Sequence, residues 1–565
     1  MSVQGPVALA STVRSTGDGH EGGDAMPGWN FADLWEICAE LRGDAPAAVH
    51  GERTVSWAEF DRRANGLART LLDAGLRHQD KVAQYLTNDP AYMGSVFASF
   101  KAALVPVNTN YRYGDDELVH LWDNADAAAV VFHGTFGPTV ERIRHRLPQV
   151  RIWLWVDDGT GPCPDWAVDA ADAAAAPTDG PVQGPWGRSG GDRWFLYTGG
   201  TTGLPKGVMW EQDTLVRLAT QTSPLPLRDG TTIAAFRELL ADTAEAAPVL
   251  LPAAPLMHGT GHIMALAQLT LGGCVVTLPG RSLDAEALWQ ACHDHGVTVL
   301  VIVGDAFARP LLEALDAEPG RWDLSRLQLM VSSGVMWSQD VKERLLDHLP
   351  QATIFDSLGS SEAIGMAASF SSKGNVTRTA RFALGPDAVV VTEDGRTVTP
   401  GSGEIGRLGV GGLLPVGYYK DEVKTAATFP VIDGVRYSLP GDWATIEADG
   451  SITLLGRGSV CINTGGEKVF PEEVEEVVKT CDGVVDAVCV GVPDPRLGHV
   501  VCAIVEPRVG TSVDPAAVVA HVRAALAHYK APRIVLERST IGRAPNGKVD
   551  YAGLTAWARD QVASG

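Results

Sequence analysis

From residue 56 to 75 the apolar positions Phe60, Ala64, Leu67, Leu71 and Leu72 recur at helical spacing. Ser56 followed three residues later by Glu59 gives that helix a capping-box start. The apolar run KVAQYL (81–86) predicts a strand, and Asp89 with Pro90 supplies an N-cap and a first-turn proline for a second helix. The alternation continues through ALVPV (103–107), a helix over 115–125 and the strand AAVVFH (128–133). It resumes with GCVVTL, the helix DAEALWQACHDH, VTVLVIV, a helix through Phe307 to Leu315, LQLMVSS, a helix from Ser338 to Leu349, and ATIFDSL. Strand–helix alternation over this many units predicts an α/β fold with a largely parallel sheet.

Three stretches depart from the pattern. Residues 156–191 are rich in Asp, Ala, Gly and Pro and read as a surface excursion; 221–252 read as a second, with a helix inside it (IAAFRELLADTAEA). From about residue 385, short β-like segments meet at Asp-Gly turns (EDG at 393–395, ADG at 448–450), which predicts antiparallel sheet. After Arg457 comes helix PEEVEEVVKTC, strands DAVCVGV and VVCAIVE, helix DPAAVVAHVRAALAHY and strand RIVLE. That stretch of roughly 110 residues suits a separate small α+β domain. Residues 1–27, rich in Gly, Ser and Asp, read as a flexible tail, with order beginning near Trp29.

Composition narrows the partners. The 565 residues are 45% hydrophobic and 20% charged, with a net charge of −22, which argues against a nucleic-acid or anionic-membrane binder. Length alone suggests three or four domains of about 150 residues. The eight cysteines include no C-x-x-C pair and are too sparse for a disulfide framework, so a reducing, cytoplasmic setting is expected. No apolar run reaches the ~18 residues of a membrane span. Arg14 and the short VALA stretch do not make a secretory leader.

The densest local chemistry lies in RWFLYTGGTTGLPKGVMW (193–210), where a strand runs into interleaved glycines and threonines followed by Lys206. Glycines let backbone N–H groups wrap an anion, hydroxyls add donors, and a lysine supplies a mobile positive charge. The spacing is not that of a Walker loop. An ordinary Gly/Thr turn with a surface lysine is the bland alternative, and phosphate binding is the better reading.

YTGGTTGLPKG closely resembles the phosphate-binding loop of the adenylate-forming superfamily of acyl-CoA synthetases, peptide-synthetase adenylation domains and luciferases. Five further segments match that family in order: APLMHGTGH (254–262), DSLGSSE (356–362), YSLPGDWA (437–444), LLGRGSVCINTGGEKVFPEEVE (454–475) and APNGKVDY (544–551). The wording of MWEQD, GDAFARPL, PVGYYKDE and GRGSVCINTGGEKV is most similar to bacterial fatty-acyl and sterol side-chain CoA ligases. The resemblance implies a large N-terminal domain (28–457) of layered sheets and helices with a β-barrel-like part. A small mobile α+β lid (458–565) would follow it.

The resemblance also implies activation of a carboxylic acid by ATP to an acyl-adenylate, then thioester formation with coenzyme A. Thr198, Gly199, Gly200, Thr201, Thr202, Gly203 and Lys206 would hold the β and γ phosphates, and Ser361 the α-phosphate. Glu362 would ligate Mg²⁺, a hard cation that prefers oxygen. Asp356 and Ser357 belong to the same ATP-binding set, Gly334 to the adenine face and Asp442 to the ribose, while Arg457 would reach the ribose or a phosphate and mark the hinge. Lys548 would be the lid lysine of adenylation, and His258 would orient the acyl carboxylate. Gly465, Gly466, Glu467 and Lys468 would line the pantetheine tunnel.

Taken singly, these residues have plainer readings: a helix N-terminal acid for Glu362, a turn for Gly-Asp, solvated charges for Arg457 and Lys548. Gly304, Asp305, Met336, Ile364 and Met366 are candidates for the acid pocket. Asp305 either bonds local backbone or recognises a substrate amine or hydroxyl. Val460 and Leu358 depart from the family's hinge Asp and adenine-stacking aromatic. Other acceptors, an amine, a carrier protein or nitrite chemistry, stay open at this point. So do a nucleotide-binding protein without turnover, and a homodimer.

Overall fold

The computed structural model describes residues 28–199, 204–221, 223, 226–464, 467–544 and 547–564. The tail expected at 1–27 lies outside them, as do Gly200, Thr201, Thr202, Gly203, Gly465 and Gly466. Of Ser459 and Lys468 only the backbone is described.

The alternating pattern folds into two large sheets with a helical layer packed between them. One sheet runs from Arg53–Ser56 through Pro46–His50, Cys274–Thr277, Val249–Pro252, Val299–Ile302, Leu329–Ser333 and Thr353–Ser360. From Pro46–His50 to Thr353–Ser360 its neighbours pair in parallel. The second is parallel across Val105–Asn108, Lys81–Tyr85, Ala127–His133 and Ile152–Val156. It ends in the antiparallel hairpin of Arg193–Thr198 and Lys206–Glu211. Helices Phe31–Leu41, Trp57–Asp73, Pro90–Lys101 and Gly259–Thr270 fill the space between, with Trp35, Phe60, Phe97 and Leu266 buried against Val82 and Leu154 of one sheet and Val275 and Leu250 of the other.

Local chemistry sets the helix starts. The Ser56 hydroxyl accepts the Glu59 N–H at 3.2 Å, as a cap should, but the Glu59 carboxylate pairs with Arg63 one turn on instead of closing the capping box. Asp89 caps the next helix through the Ala91 N–H at 2.7 Å, with Pro90 in its first turn.

The antiparallel segments after residue 360 continue the first sheet at its far edge, through Ala363–Ser371, Arg381–Leu384, Ser451–Arg457, Asp442–Ile446, Ile405–Val410 and Ala388–Val391. They curl so that Val390 and Leu408 pack on Ala363, Met366 and Ala367 in a core of their own. The excursion read at 221–252 ends sooner, since Val249–Pro252 is a buried central strand. Its helix is Ile233–Asp242, shorter than the apolar pattern suggested.

Residues 462–558 carry two hydrophobic clusters on opposite faces of one sheet. The long hairpin Val484–Asp494 and Gly498–Pro507 forms its spine, Ile534–Glu537 joins in parallel, and Pro471–Lys479 and Pro515–Ala525 cover one face. A terminal helix, Tyr551–Ser564, covers the other with Leu554 and Ala558; its apolar positions gave little warning of it. Among the described residues no helix is long and apolar enough to cross a membrane.

Candidate active site

Most of the candidate site residues lie around the carboxyl ends of the parallel strands, where the two sheets and the C-terminal unit meet. Thr198 and Lys206 end and begin the two strands of the hairpin and face each other in register. Of the glycine–threonine segment between them, Gly199 is the last described residue before Leu204. The Lys206 ammonium is held 2.7 Å from the Asp421 carboxylate.

Glu362 does not start a helix. It sits in the turn where Ser360 and Ala363 close the hairpin of Thr353–Ser360 and Ala363–Ser371. One of its carboxylate oxygens accepts the Tyr418 hydroxyl at 2.7 Å. The Ser361 carbonyl takes the Trp210 indole N–H at 3.0 Å, which ties this turn to the phosphate-loop hairpin. Asp356 and Ser357 alternate on the strand before it. Asp356 is buried and faces Lys342 at 3.8 Å, whereas Ser357 points the other way and is half-buried. Burial pushes the Asp356 carboxyl up to about 7 against the pull of Lys342, and Asp305 and Glu476 push it the same way. Leu358 packs into the antiparallel core.

Asp442 and Arg457 are partners across two antiparallel strands, with the guanidinium 3.4 Å from one carboxylate oxygen. The other Asp442 oxygen is buried and has no hydrogen-bond partner among the described residues. Burial raises the Asp442 pKa and Arg457 opposes it. An orphaned, buried acceptor beside a cation is a fitting receptor for a pair of hydroxyls. Gly334 adopts φ +93° at the end of its strand, and a Cβ built there meets no protein atom within 4 Å. That open, side-chain-free face fits a flat base. Beyond Arg457 the chain turns through Gly458–Val460 into the C-terminal unit, and the Glu472 carboxylate reaches back to the Arg457 N–H at 3.4 Å.

Lys548 comes from the far end of the sequence, yet Glu362 and Arg457 are the charges that act on it. It keeps solvent contact, but the protein crowded around it lowers its pKa; Arg457 adds to that and Glu362 opposes it. The turn carrying it is pressed onto the large body. Gly547, at φ +71°, lies so close to Val335, Ala306 and Val303 that a Cβ would meet Val335 at 2.8 Å. His258 occupies the position just before the helix Gly259–Thr270 without a side-chain capping bond, and the protein around it takes its pKa down to about 3, with Lys548 and Arg112 contributing. It is a neutral imidazole at physiological pH. His262, one turn later in the same motif, is fully buried between the rings of Tyr92 and Trp194.

A cavity of about 540 Å³ opens beside Val335 and Met336. Its walls are largely apolar, with Leu278, Leu283, Phe307 and Pro310 from the large body and Val485 from the C-terminal unit. Of the acid-pocket candidates, Asp305 and Met336 line it. Asp305 is committed locally: it accepts the Ser338 N–H at 2.9 Å, the Ser338 hydroxyl, and Arg309 at 2.9 Å. Gly304 is a packing glycine, at φ +50° with its ideal Cβ 2.5 Å from the Met336 carbonyl. Met366 lies off the cavity, fully buried in the antiparallel core, because strand alternation turns it inward. Ile364 is half-buried against the main core. Glu467 is exposed on the short strand Glu467–Val469, which pairs with Ile462–Thr464; the backbone of Lys468 belongs to the same strand.

Among the described residues no group of three or more His, Cys, Asp or Glu side chains forms a metal cage. A single carboxylate such as Glu362 suits Mg²⁺, which retains waters and shares phosphate oxygens. Tyr418 and Asp421, which sequence reasoning missed, contact two of the candidate site residues, Glu362 and Lys206. Their segment, PVGYYKDE, was noted only for its wording, and nothing local in it shows which strand it will pair with.

Residues 35–419 match the family described as AMP-binding enzyme, and residues 473–548 match the AMP-binding enzyme C-terminal domain. The chain is 40% identical over 542 residues to a medium/long-chain-fatty-acid–CoA/3-oxocholest-4-en-26-oate–CoA ligase of Mycolicibacterium smegmatis, covering 94% of this chain and 96% of that protein. It is 38% identical, over the same shares, to a 3-oxocholest-4-en-26-oate–CoA ligase of Rhodococcus rhodochrous. Among solved structures, the anthranilate CoA ligase AuaEII with anthranoyl-AMP superposes with a TM-score of 0.80 at 20% identity, over 95% of this chain and 99% of that one. The amide bond synthetase McbA from Marinactinospora thermotolerans gives 0.76 at 22% identity, over 94% and 100%. The same architecture thus occurs in proteins whose names carry different acceptors.

Proposed function

The chain belongs to the AMP-binding enzyme family and is an AMP-forming acid–CoA ligase, and from that premise we propose how its own residues divide the two half-reactions and which acids it takes. The observation that carries the assignment is the convergence of Lys548, Glu362, Arg457 and Asp442. The strand pair that carries Asp442 and Arg457, the turn that carries Glu362 and the docked C-terminal turn that carries Lys548 bring these charges within electrostatic reach of one another, beside an orphaned buried oxygen of Asp442.

In the first half-reaction a carboxylate oxygen attacks the α-phosphorus of ATP and pyrophosphate leaves. Negative charge builds on the phosphoryl oxygens, so fixed cations and donors aimed there lower the barrier. Lys206 and the glycine–threonine loop hold the departing phosphates, Asp442 takes the ribose hydroxyls, and Gly334 leaves room for the base. Lys548, delivered by the docked C-terminal unit, lies between the α-phosphate and the acid's carboxylate. Bound through Glu362, Mg²⁺ would neutralise phosphate charge. His258, neutral and half-buried, orients the carboxylate without adding a second cation. In the second half-reaction the unit 458–565 turns about Gly458–Val460 relative to 28–457, withdraws Lys548 and brings Gly465, Gly466, Glu467 and Lys468 to the adenylate. The coenzyme A thiol then displaces AMP.

The acid is a medium- or long-chain fatty acid or a sterol side-chain acid. The cavity falls in the ~300–1,000 Å³ range of pockets that enclose sizeable ligands, and four of the charged residues that line it are paired with one another, Asp305 with Arg309 and Asp486 with Arg543. Acid-dependent exchange of labelled pyrophosphate into ATP, run over a panel of fatty, steroid and aryl acids, tests this. Exchange with the apolar acids and a CoA thioester identified by mass are expected. Exchange confined to small polar acids would overturn the acid class, and an amide in place of the thioester would overturn the acceptor.

A further inference from the structure

One five-residue segment, Gly417 to Asp421, grips two residues assigned to the polyphosphate end of ATP from opposite sides. Gly417 and Tyr418 form a short strand beside Met209 and Val208, and the Tyr419 N–H donates to the Gly207 carbonyl at 2.8 Å. This register lays the segment along the strand that begins at Lys206. Lys420, at φ +55°, then turns the chain so that Asp421 comes back over the Lys206 ammonium at 2.7 Å. The other Asp421 oxygen is engaged as the N-cap of Glu422–Thr428, accepting the Lys424 N–H at 2.9 Å. The carboxylate is therefore fixed at both ends. Tyr418 is buried, its N–H bonds the Thr425 hydroxyl at 2.9 Å, and its own hydroxyl donates to Glu362 at 2.7 Å. Tyr419 and Lys420 anchor the outer side, each 2.7 Å from Asp126.

We propose that residues 417–421 are a positioning strap for the phosphate–metal centre, in which Tyr418 sets the direction of the Glu362 carboxylate and Asp421 holds Lys206 until the triphosphate takes it over. Glu362 keeps one oxygen outside the Tyr418 hydrogen bond, so fixing one orients the other. A glutamate without that bond would sample several rotamers before ligating a cation. Lys206 exchanges one anionic partner for another, so ATP binding works against the Asp421 contact. Neither residue is catalytic, since each acts through its neighbour. The inference rests on the assignment of Glu362 and Lys206 made above.

Calorimetric titration of the full-length protein with ATP, without acid and across a range of Mg²⁺ concentrations, tests the strap apart from turnover. Tyr418→Phe should raise the Mg²⁺ concentration that half-saturates ATP binding by about tenfold or more, as expected for a lost hydrogen bond to a charged group, and leave Mg²⁺-free binding unchanged. Asp421→Asn keeps the helix cap but removes the charge, and should tighten ATP binding about three- to tenfold. In a Lys206→Ala background that gain should vanish, which a merely structural Asp421 or a general repulsion would not produce. If Tyr418→Phe fails to fold, Thr425→Val, which frees the Tyr418 backbone, should show the same Mg²⁺ shift. Glu362→Gln separates the two layers of the argument: if it leaves the Mg²⁺ dependence intact, the assignment of Glu362 is wrong. If Glu362→Gln abolishes that dependence while Tyr418→Phe matches the wild type, or if the Asp421→Asn gain survives without Lys206, the strap is overturned.

Discussion

Asp356→Asn should flatten the pH dependence of stability. The Asp356 carboxyl is 6% exposed, and its nearest cation, Lys342, is 3.8 Å away, beyond hydrogen-bond distance. Burial therefore outweighs the attraction and lifts its pKa from 3.8 to about 7. For a carboxyl raised on folding, the folded state holds a proton that the unfolded chain releases. Its contribution is complete below about pH 4 and is lost as pH rises through 7. Between pH 5 and 8 the linkage amounts to roughly 2–3 kcal/mol of lost stability. Asparagine mimics the protonated carboxyl in shape and does not titrate. The variant should match the wild type near pH 3.5, exceed it by roughly 1–2 kcal/mol near pH 5 and exceed it further near pH 8, with unfolding followed in urea at fixed pH steps. Equal slopes for the two proteins, with the variant weaker at both ends, would mean that Asp356 is an ordinary ionised partner of Lys342 and would refute the reasoning.

Lys548→Ala should slow acid-dependent pyrophosphate exchange by roughly 10²–10³-fold, the scale of one preorganised contact to developing charge. Thioester formation from supplied acyl-adenylate should be little affected, and normal exchange would remove Lys548 from adenylation. His258, held near pKa 3, should contribute no ionisation to the kcat/KM profile for the acid between pH 5.5 and 8; an inflection near 6.5 that disappears in His258→Ala would contradict its neutral state. Gly304→Ala places a Cβ against the Met336 carbonyl in a left-handed backbone, and should lower stability by more than about 1 kcal/mol in thermal unfolding; an unchanged midpoint would show that the loop yields.

Much of the body was legible because its signals are local. The helix after Ser56, the Asp89–Pro90 start and the runs of buried strand each depend on residues within a turn or two. The site motifs were legible as short strings for the same reason. What failed was anything that depends on which surface a segment meets. Val249–Pro252 looked like the end of an excursion because four residues show no period, and only its two parallel neighbours make it a core strand. Met366 looked like pocket lining, and the curl of the antiparallel strands turned it inward. The terminal helix lacks a clear apolar stripe; the exposed face of the C-terminal sheet gave it a place to pack.

By itself, then, the sequence determined the element types, the order of the motifs and the chemistry each could perform, since backbone propensity, capping and side-chain functional groups are carried in neighbouring residues. Only the tertiary structure decided which of them act together. Lys206 and Asp421 are 215 positions apart, Tyr418 and Glu362 are 56 apart, and Lys548 reaches the site because the turn at Gly547 fits against Val335. Such pairings follow from strand register and domain docking, which are set by burial summed over whole surfaces.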